Sequence, residues 1–120
     1  MPNEDFGTRG EQDAPQLNTV AFSHSGTSPD VRVLIVRGEL DISTSGLLQH
    51  ELDDLLDAVV QRVEVDLSGV VFMDSSALSA LVSAHERAEK QGQHLALVSP
   101  SPACAKVLGI TGLDRVFDLI

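Results

Sequence analysis

The fold of this chain is decided by the stretch Val63-Glu-Val-Asp-Leu-Ser-Gly-Val-Val-Phe-Met-Asp-Ser-Ser-Ala-Leu-Ser-Ala-Leu-Val82. Residues 63–67 alternate apolar and polar side chains, a pattern that predicts a half-buried strand. Residues 68–74 are expected to form a connection, and from Ser75 onward the apolar residues recur at helical spacing. The stretch therefore predicts a strand, a short loop and a helix over roughly residues 75–90, which ends before Gly92.

Strands and helices alternate through the rest of the chain as well. Strands are predicted at residues 17–22, 31–37, 94–98 and 115–120, and a short helix at 103–108. The loop at residues 25–30 indicates that the first two strands form a hairpin with a longer loop, and residues 38–41 punctuate the end of the second strand. Another helix, capped by Ser43 or Thr44, has one apolar face made of Leu48, Leu52, Leu55, Leu56 and Val59. This order predicts an α/β fold with a mixed, mostly parallel β-sheet of about five strands and helices packed on it.

Composition limits the functions that the chain can perform. Residues 1–16 are polar and are expected to form a flexible N-terminal tail, which leaves residues 17–120 as one domain. The formal net charge of −10 and the absence of Trp and Tyr argue against direct nucleic-acid binding. Cys104 is the single cysteine, which excludes an internal disulfide. Neither a signal peptide nor a long apolar stretch is found, so we expect a cytoplasmic protein without a membrane segment.

Ser75 lies where the strand-to-helix connection reaches the helix, and two interpretations of this position stay open. Asp74 and Ser75 can simply cap the helix, which is the commoner role of such residues. Alternatively, a phosphate on Ser75 would lie beside unpaired backbone N–H groups and the positive end of the helix dipole. A catalytic nucleophile is disfavoured because the stretch lacks the G-x-S-x-G elbow. We therefore do not expect an enzyme.

Three segments resemble the STAS domain of bacterial anti-sigma factor antagonists. They are Gly38-Glu39-Leu40-Asp41, Val65-Asp66-Leu67-Ser68 and Phe72-Met73-Asp74-Ser75-Ser76-Ala77-Leu78. The likeness covers about residues 17–120. It implies a STAS-like fold and a role in transcription regulation through partner switching around a sigma factor.

The resemblance also implies a cycle of phosphorylation. The acceptor would be Ser75, with Ser76 as second choice, and the kinase would be the anti-sigma factor itself, a serine kinase of the histidine-kinase-like ATPase fold. The unphosphorylated chain would bind that anti-sigma factor and release the sigma factor, and a PP2C-type phosphatase would restore this state. The implied partner-binding residues are Glu39, Asp41, Asp74, Ser75, Ser76, Ala77 and Ser79. No metal or other cofactor is expected.

An alternative function is also consistent with the resemblance: the chain could be a STAS subunit of another assembly, either a stressosome-like scaffold or a component of a lipid-transport ATPase.

The sequence departs from the common family pattern at two positions. Alanine and serine stand at positions 77 and 79, where the family commonly has glycine, and both favour a stiffer start of the helix. The acidic side chains Asp53, Asp54 and Asp57 either face solvent or meet a basic partner. The oligomeric state stays open.

Overall fold

The computed structural model describes residues 20–58 and 60–120, and these form five strands, three α-helices and one 3-10 turn. In chain order they are β1 (Val20–Ser28), β2 (Val31–Leu40), α1 (Ser45–Asp57), β3 (Arg62–Met73), α2 (Ser75–Lys90), β4 (His94–Val98), α3 (Pro102–Thr111), the 3-10 turn (Leu113–Arg115) and β5 (Asp118–Leu119). The predicted N-terminal tail and Val59 lie outside the described residues.

The strands form one mixed sheet in the order β1-β2-β3-β4-β5. β1 pairs antiparallel with β2 as a hairpin, and the pairs β2–β3, β3–β4 and β4–β5 are all parallel. Parallel neighbours need crossover connections, which α1, α2 and α3 supply. The predicted α/β class with a mixed, mostly parallel sheet and packed helices is therefore confirmed.

The hairpin differs from the sequence prediction because its loop is shorter. Pairing continues to Ser28, which lies opposite Val31, so that only Pro29 and Asp30 form the turn. The ladder is irregular between Ser25 and Ser28, where the predicted loop residues have joined the strand. Backbone pairing with a strong β2 strand thus outweighs the local turn preference of the Ser, Gly and Thr residues.

β3 is also longer than predicted and runs through most of the expected connection to Met73. Its second half pairs with residues 37–40 of β2, with one register shift before Arg37 and another between Gly38 and Glu39. Close approach of the two strands requires glycine at position 69, where an added Cβ would lie 2.8 Å from Cγ of Arg37. Gly38 supports the irregular ladder with a φ of 106°, which other residues rarely adopt. As a result, β3 ends directly before Asp74.

The predicted helix at residues 75–90 is confirmed, whereas the C-terminal elements have different bounds. α3 is longer than expected and stops at Gly112, whose φ of 78° is left-handed. The 3-10 turn then occupies the start of the predicted last strand, which leaves two residues in β5. Within the described residues, no helix combines the length and apolarity that a membrane crossing requires.

The core is an aliphatic layer between the sheet and the helices. Leucines of α1 and small and branched residues of α2 are buried against the strands. Leu81 is fully buried, as is Cys104 of α3, and burial raises the pKa of the Cys104 thiol. Cys104 is therefore a small apolar residue of the core.

An arginine joins α1 to α2 across their outer surfaces. Arg87 of α2 donates to Asp53 at 3.2 Å and also to Asp57. Two of the three aspartates of α1, Asp53 and Asp57, are therefore paired with Arg87. Such exposed pairs contribute about 0.2–1 kcal/mol each, so they add little to the stability of the fold.

We predict that Leu81→Ala lowers the free energy of unfolding by about 2–5 kcal/mol, because it leaves a cavity in a filled core. Leu47→Ala is the matched control, since Leu47 is 55% exposed. Its effect should stay below about 1 kcal/mol. Urea unfolding followed by circular dichroism measures both, and equal losses would contradict the core described above.

Alanine substitutions at the two glycines near the end of α3 should change the stability of the protein in opposite directions. Gly109 lies within the helix, and its added Cβ would be 4.0 Å from Asp114 Oδ2. We expect Gly109→Ala to stabilise the protein by about 0.5–1 kcal/mol through helix propensity. Gly112→Ala should destabilise it by about 1–2 kcal/mol, because alanine is strained at a left-handed φ. Thermal unfolding tests the pair, and shifts of the same sign would refute this account.

Candidate functional site

The candidate site lies where β2 and β3 end beside each other. Leu40 and Met73 are paired in register, and the backbone N–H of Asp74 donates to the carbonyl of Leu40 at 3.1 Å. Both chains then turn into the helices α1 and α2. Binding sites of open α/β sheets usually lie at such carboxyl ends of parallel strands.

Asp74 caps α2 through a single carboxylate oxygen. Its Oδ1 accepts hydrogen bonds from the backbone N–H groups of Ser76 at 2.9 Å and Ala77 at 3.3 Å, and from the hydroxyl of Ser76 at 2.5 Å. Two of the backbone donors that a helix leaves unpaired at its start are thereby satisfied. The capping role proposed for this position belongs to Asp74 and is assisted by Ser76.

The two serines after Asp74 have different environments. Ser75 is exposed, whereas Ser76 is half-buried. The hydrogen bonds that the described residues form in this turn include the hydroxyl of Ser76 and leave out that of Ser75. Ser75 thus presents an accessible hydroxyl, whereas the hydroxyl of Ser76 is half-buried and bonded to Asp74.

A second turn follows β2, and Asp41 organises it. Its Oδ1 accepts from the backbone N–H of Ser43 at 2.9 Å and from the hydroxyl of Ser43 at 2.6 Å. The hydrogen bond from the Ser43 hydroxyl is the main cause that lowers the pKa of Asp41. The turn therefore keeps its charged carboxylate to a lower pH than a free aspartate would.

Thr44 directly precedes α1, but its side chain forms no capping hydrogen bond with the helix, contrary to the prediction. Its buried hydroxyl donates backwards to the carbonyl of Glu39 at 2.9 Å and accepts from the N–H of Asp41 at 2.9 Å. The carbonyl of Asp41 accepts from the N–H groups of Thr44 and Ser45. These hydrogen bonds connect the end of β2 to the start of α1. The sequence pattern therefore predicted the wrong hydrogen-bond partner for Thr44, whose hydroxyl bonds to the preceding strand and turn and not to the helix.

The remaining expected site residues fall into two groups. Glu39 is exposed at the end of β2, opposite Phe72, and Ser79 is exposed on α2. Ala77 is fully buried in the core, so its side chain does not reach the surface of the free chain.

A shallow groove of about 230 Å³ lies between the first turns of α1 and α2. Its lining is made of small and polar residues: Ser45, Gly46, Gln49, Ser76, Ser79, Ala80 and Ser83. Sequence reasoning missed the contribution of α1, because nothing in the pattern of residues 45–49 indicates that this turn faces α2.

Known proteins resemble the chain in sequence and in structure. Residues 25–120 match the STAS domain family. The TM1081 homolog of Thermotoga neapolitana is 33% identical over 88 residues, which are 72% of this chain and 78% of that protein. RsfB of Mycobacterium tuberculosis, an anti-sigma-F factor antagonist, is 28% identical over 107 residues, with coverage of 88% and 84%.

A solved structure agrees with these sequence matches. The crystal structure of an anti-sigma factor antagonist from Mycobacterium paratuberculosis superposes with a TM-score of 0.76 at 27% identity. The superposition covers 84% of this chain and 85% of that one. Family match, sequence identity and fold thus agree over nearly the whole described region, and the chain belongs to the STAS domain family of anti-sigma factor antagonists.

Proposed function

We propose that this chain is a regulatory protein, without catalytic activity, that antagonises an anti-sigma factor in the cytoplasm. In its unphosphorylated form it binds an anti-sigma factor that is also a serine kinase of the histidine-kinase-like ATPase fold, and so releases the sigma factor. Phosphorylation of Ser75 by that kinase ends the complex. A PP2C-type phosphatase removes the phosphate and restores binding.

The observation that carries this proposal is the environment of the Ser75 hydroxyl. It is exposed at the end of the sheet, while the cap made by Asp74 and Ser76 fixes the backbone around it. A kinase needs a hydroxyl that it can reach and that costs little to position. Ser76 meets this requirement less well, because its hydroxyl already donates to Asp74.

The surroundings of Ser75 explain why a phosphate would oppose partner binding. Phosphoserine adds a charge of about −1.5 to −2. The backbone N–H groups of Ser76 and Ala77 already bind the Asp74 carboxylate, so the phosphate does not find them unpaired. It would instead lie next to a like charge. We therefore expect repulsion at a docked surface to outweigh any local accommodation by the helix dipole.

The first test compares Ser75→Ala with Ser76→Ala. Each variant is incubated with ATP and each ATPase-fold anti-sigma factor of the source genome, and the phosphate is located by tandem mass spectrometry. We expect Ser75→Ala to lose phosphorylation. Ser76→Ala should keep it on Ser75, while its free energy of unfolding falls by about 1 kcal/mol through loss of the hydroxyl bond to Asp74. Phosphate found on Ser76 of the unaltered chain would refute the assignment.

The second test measures binding directly. Ser75→Asp should weaken the complex with the same anti-sigma factor at least about tenfold, or about 1.4 kcal/mol, in isothermal titration calorimetry. Gln61→Asp is the control, because it places the same charge on an exposed residue directly before β3, at the opposite end of that strand from Ser75. Equal affinities of the two variants would argue against a switch located at Ser75.

A further inference from the structure

Ile42 is an apolar side chain with unusual exposure for its place in the fold. It is 83% exposed, more than any other large hydrophobic residue in the described parts of the chain. Single exposed apolar residues are common on protein surfaces and by themselves indicate nothing. The position of Ile42 relative to Ser75 is what distinguishes it.

The turns that follow β2 and β3 correspond residue by residue. Leu40 and Met73 are paired in register, and each is followed by the sequence Asp-x-Ser. In both turns the aspartate Oδ1 accepts from the backbone N–H and the hydroxyl of the serine, at 2.9 and 2.6 Å after β2 and at 2.9 and 2.5 Å after β3. The middle residue is Ile42 in the first turn and Ser75 in the second. Neighbouring strands lie about 4.8 Å apart, so the turn that carries Ile42 and the turn that carries Ser75 begin next to each other.

Hydrogen bonds within the free chain fix the conformation of the turn that carries Ile42. Beyond the bonds from Ser43, Thr44 links the backbone of Glu39 to that of Asp41. An apolar side chain on such a fixed turn loses little conformational entropy when it is buried against a partner. Buried apolar anchors of this kind supply a large share of the affinity in protein interfaces.

The charges around the two turns indicate the chemistry of the partner. Residues 39–49 and 70–80 contain the acidic side chains Glu39, Asp41 and Asp74 and no Lys or Arg. A complementary surface would therefore place Lys or Arg around an apolar socket. The acidic groups would also steer such a surface toward Ser75.

We propose that Ile42 is the apolar anchor of the kinase complex, inserted into a hydrophobic socket that basic residues surround beside the kinase's active site. This inference rests on the proposed function, because it names the partner of the same site. Ile42 is a docking residue and takes no part in phosphoryl transfer. Its contribution is to bind the chain so that Ser75 reaches the kinase.

The test uses Ile42→Ala and the matched control Ile110→Ala, an isoleucine of α3 that is 75% exposed. The probe is the ATPase-fold anti-sigma factor that phosphorylates the unaltered chain. We expect Ile42→Ala to raise both the Kd and the KM for phosphorylation about tenfold. The kcat should stay unchanged, because the turn of Asp74 is intact. Ile42→Val should keep most of the affinity, Ile42→Lys should bind more weakly than Ile42→Ala, and Ile110→Ala should match the unaltered chain.

The possible results separate this inference from the function on which it rests. If the unaltered chain is phosphorylated on Ser75 but Ile42→Ala keeps the Kd and KM of the unaltered chain, the docking role is wrong and the proposed function stands. A loss of affinity as large in Ile110→Ala would also overturn it. If no ATPase-fold anti-sigma factor of the source genome phosphorylates the unaltered chain, the proposed function fails, and the inference fails with it. Circular dichroism and thermal unfolding confirm that each variant is folded.

Discussion

The candidate site depends on one stretch of parallel pairing, in which residues 37–40 of β2 lie beside residues 69–73 of β3. This stretch brings Leu40 and Met73 into register and lets Asp74 donate to Leu40. Without it, the two strands would diverge after residue 66, and the turns that carry Ile42 and Ser75 would not be neighbours. Gly69 favours this pairing, because an added Cβ there would lie 2.8 Å from Cγ of Arg37 on the neighbouring strand. A glycine without any side-chain chemistry thus supports the geometry of the site.

The sequence pattern predicted correctly those elements, such as α2, whose conformation depends on residues close together in the chain. α2 begins at Ser75, as expected, because Asp74 is a strong capping residue and the apolar spacing that follows is helical. The second half of β3 was missed, since residues 68–73 do not alternate and their strand conformation comes from pairing with a distant segment. For the same reason, the hairpin loop was predicted too long.

The sequence predicts where the candidate site lies, but it does not predict how the side chains of that site are arranged. The choice between Ser75 and Ser76 depends on which hydroxyl the Asp74 carboxylate accepts, and that is decided by side-chain geometry within one helical turn. Burial of Ala77 follows from the phase of α2 relative to the sheet. The cap is built from Asp74 and the residues after Ser75, so the helix start does not need the Ser75 hydroxyl. Chemistry at Ser75 can therefore change the surface while the fold is kept.

The aliphatic core has a consequence for optical measurements. The chain has no Trp and no Tyr, and packing relies on Leu, Val and Ala with Phe117 as a buried aromatic residue. The protein is accordingly almost transparent at 280 nm and has no tryptophan emission of its own. In a mixture with another protein, every change in tryptophan fluorescence reports on that other protein alone, and a single engineered tryptophan would give an uncontaminated signal from this one.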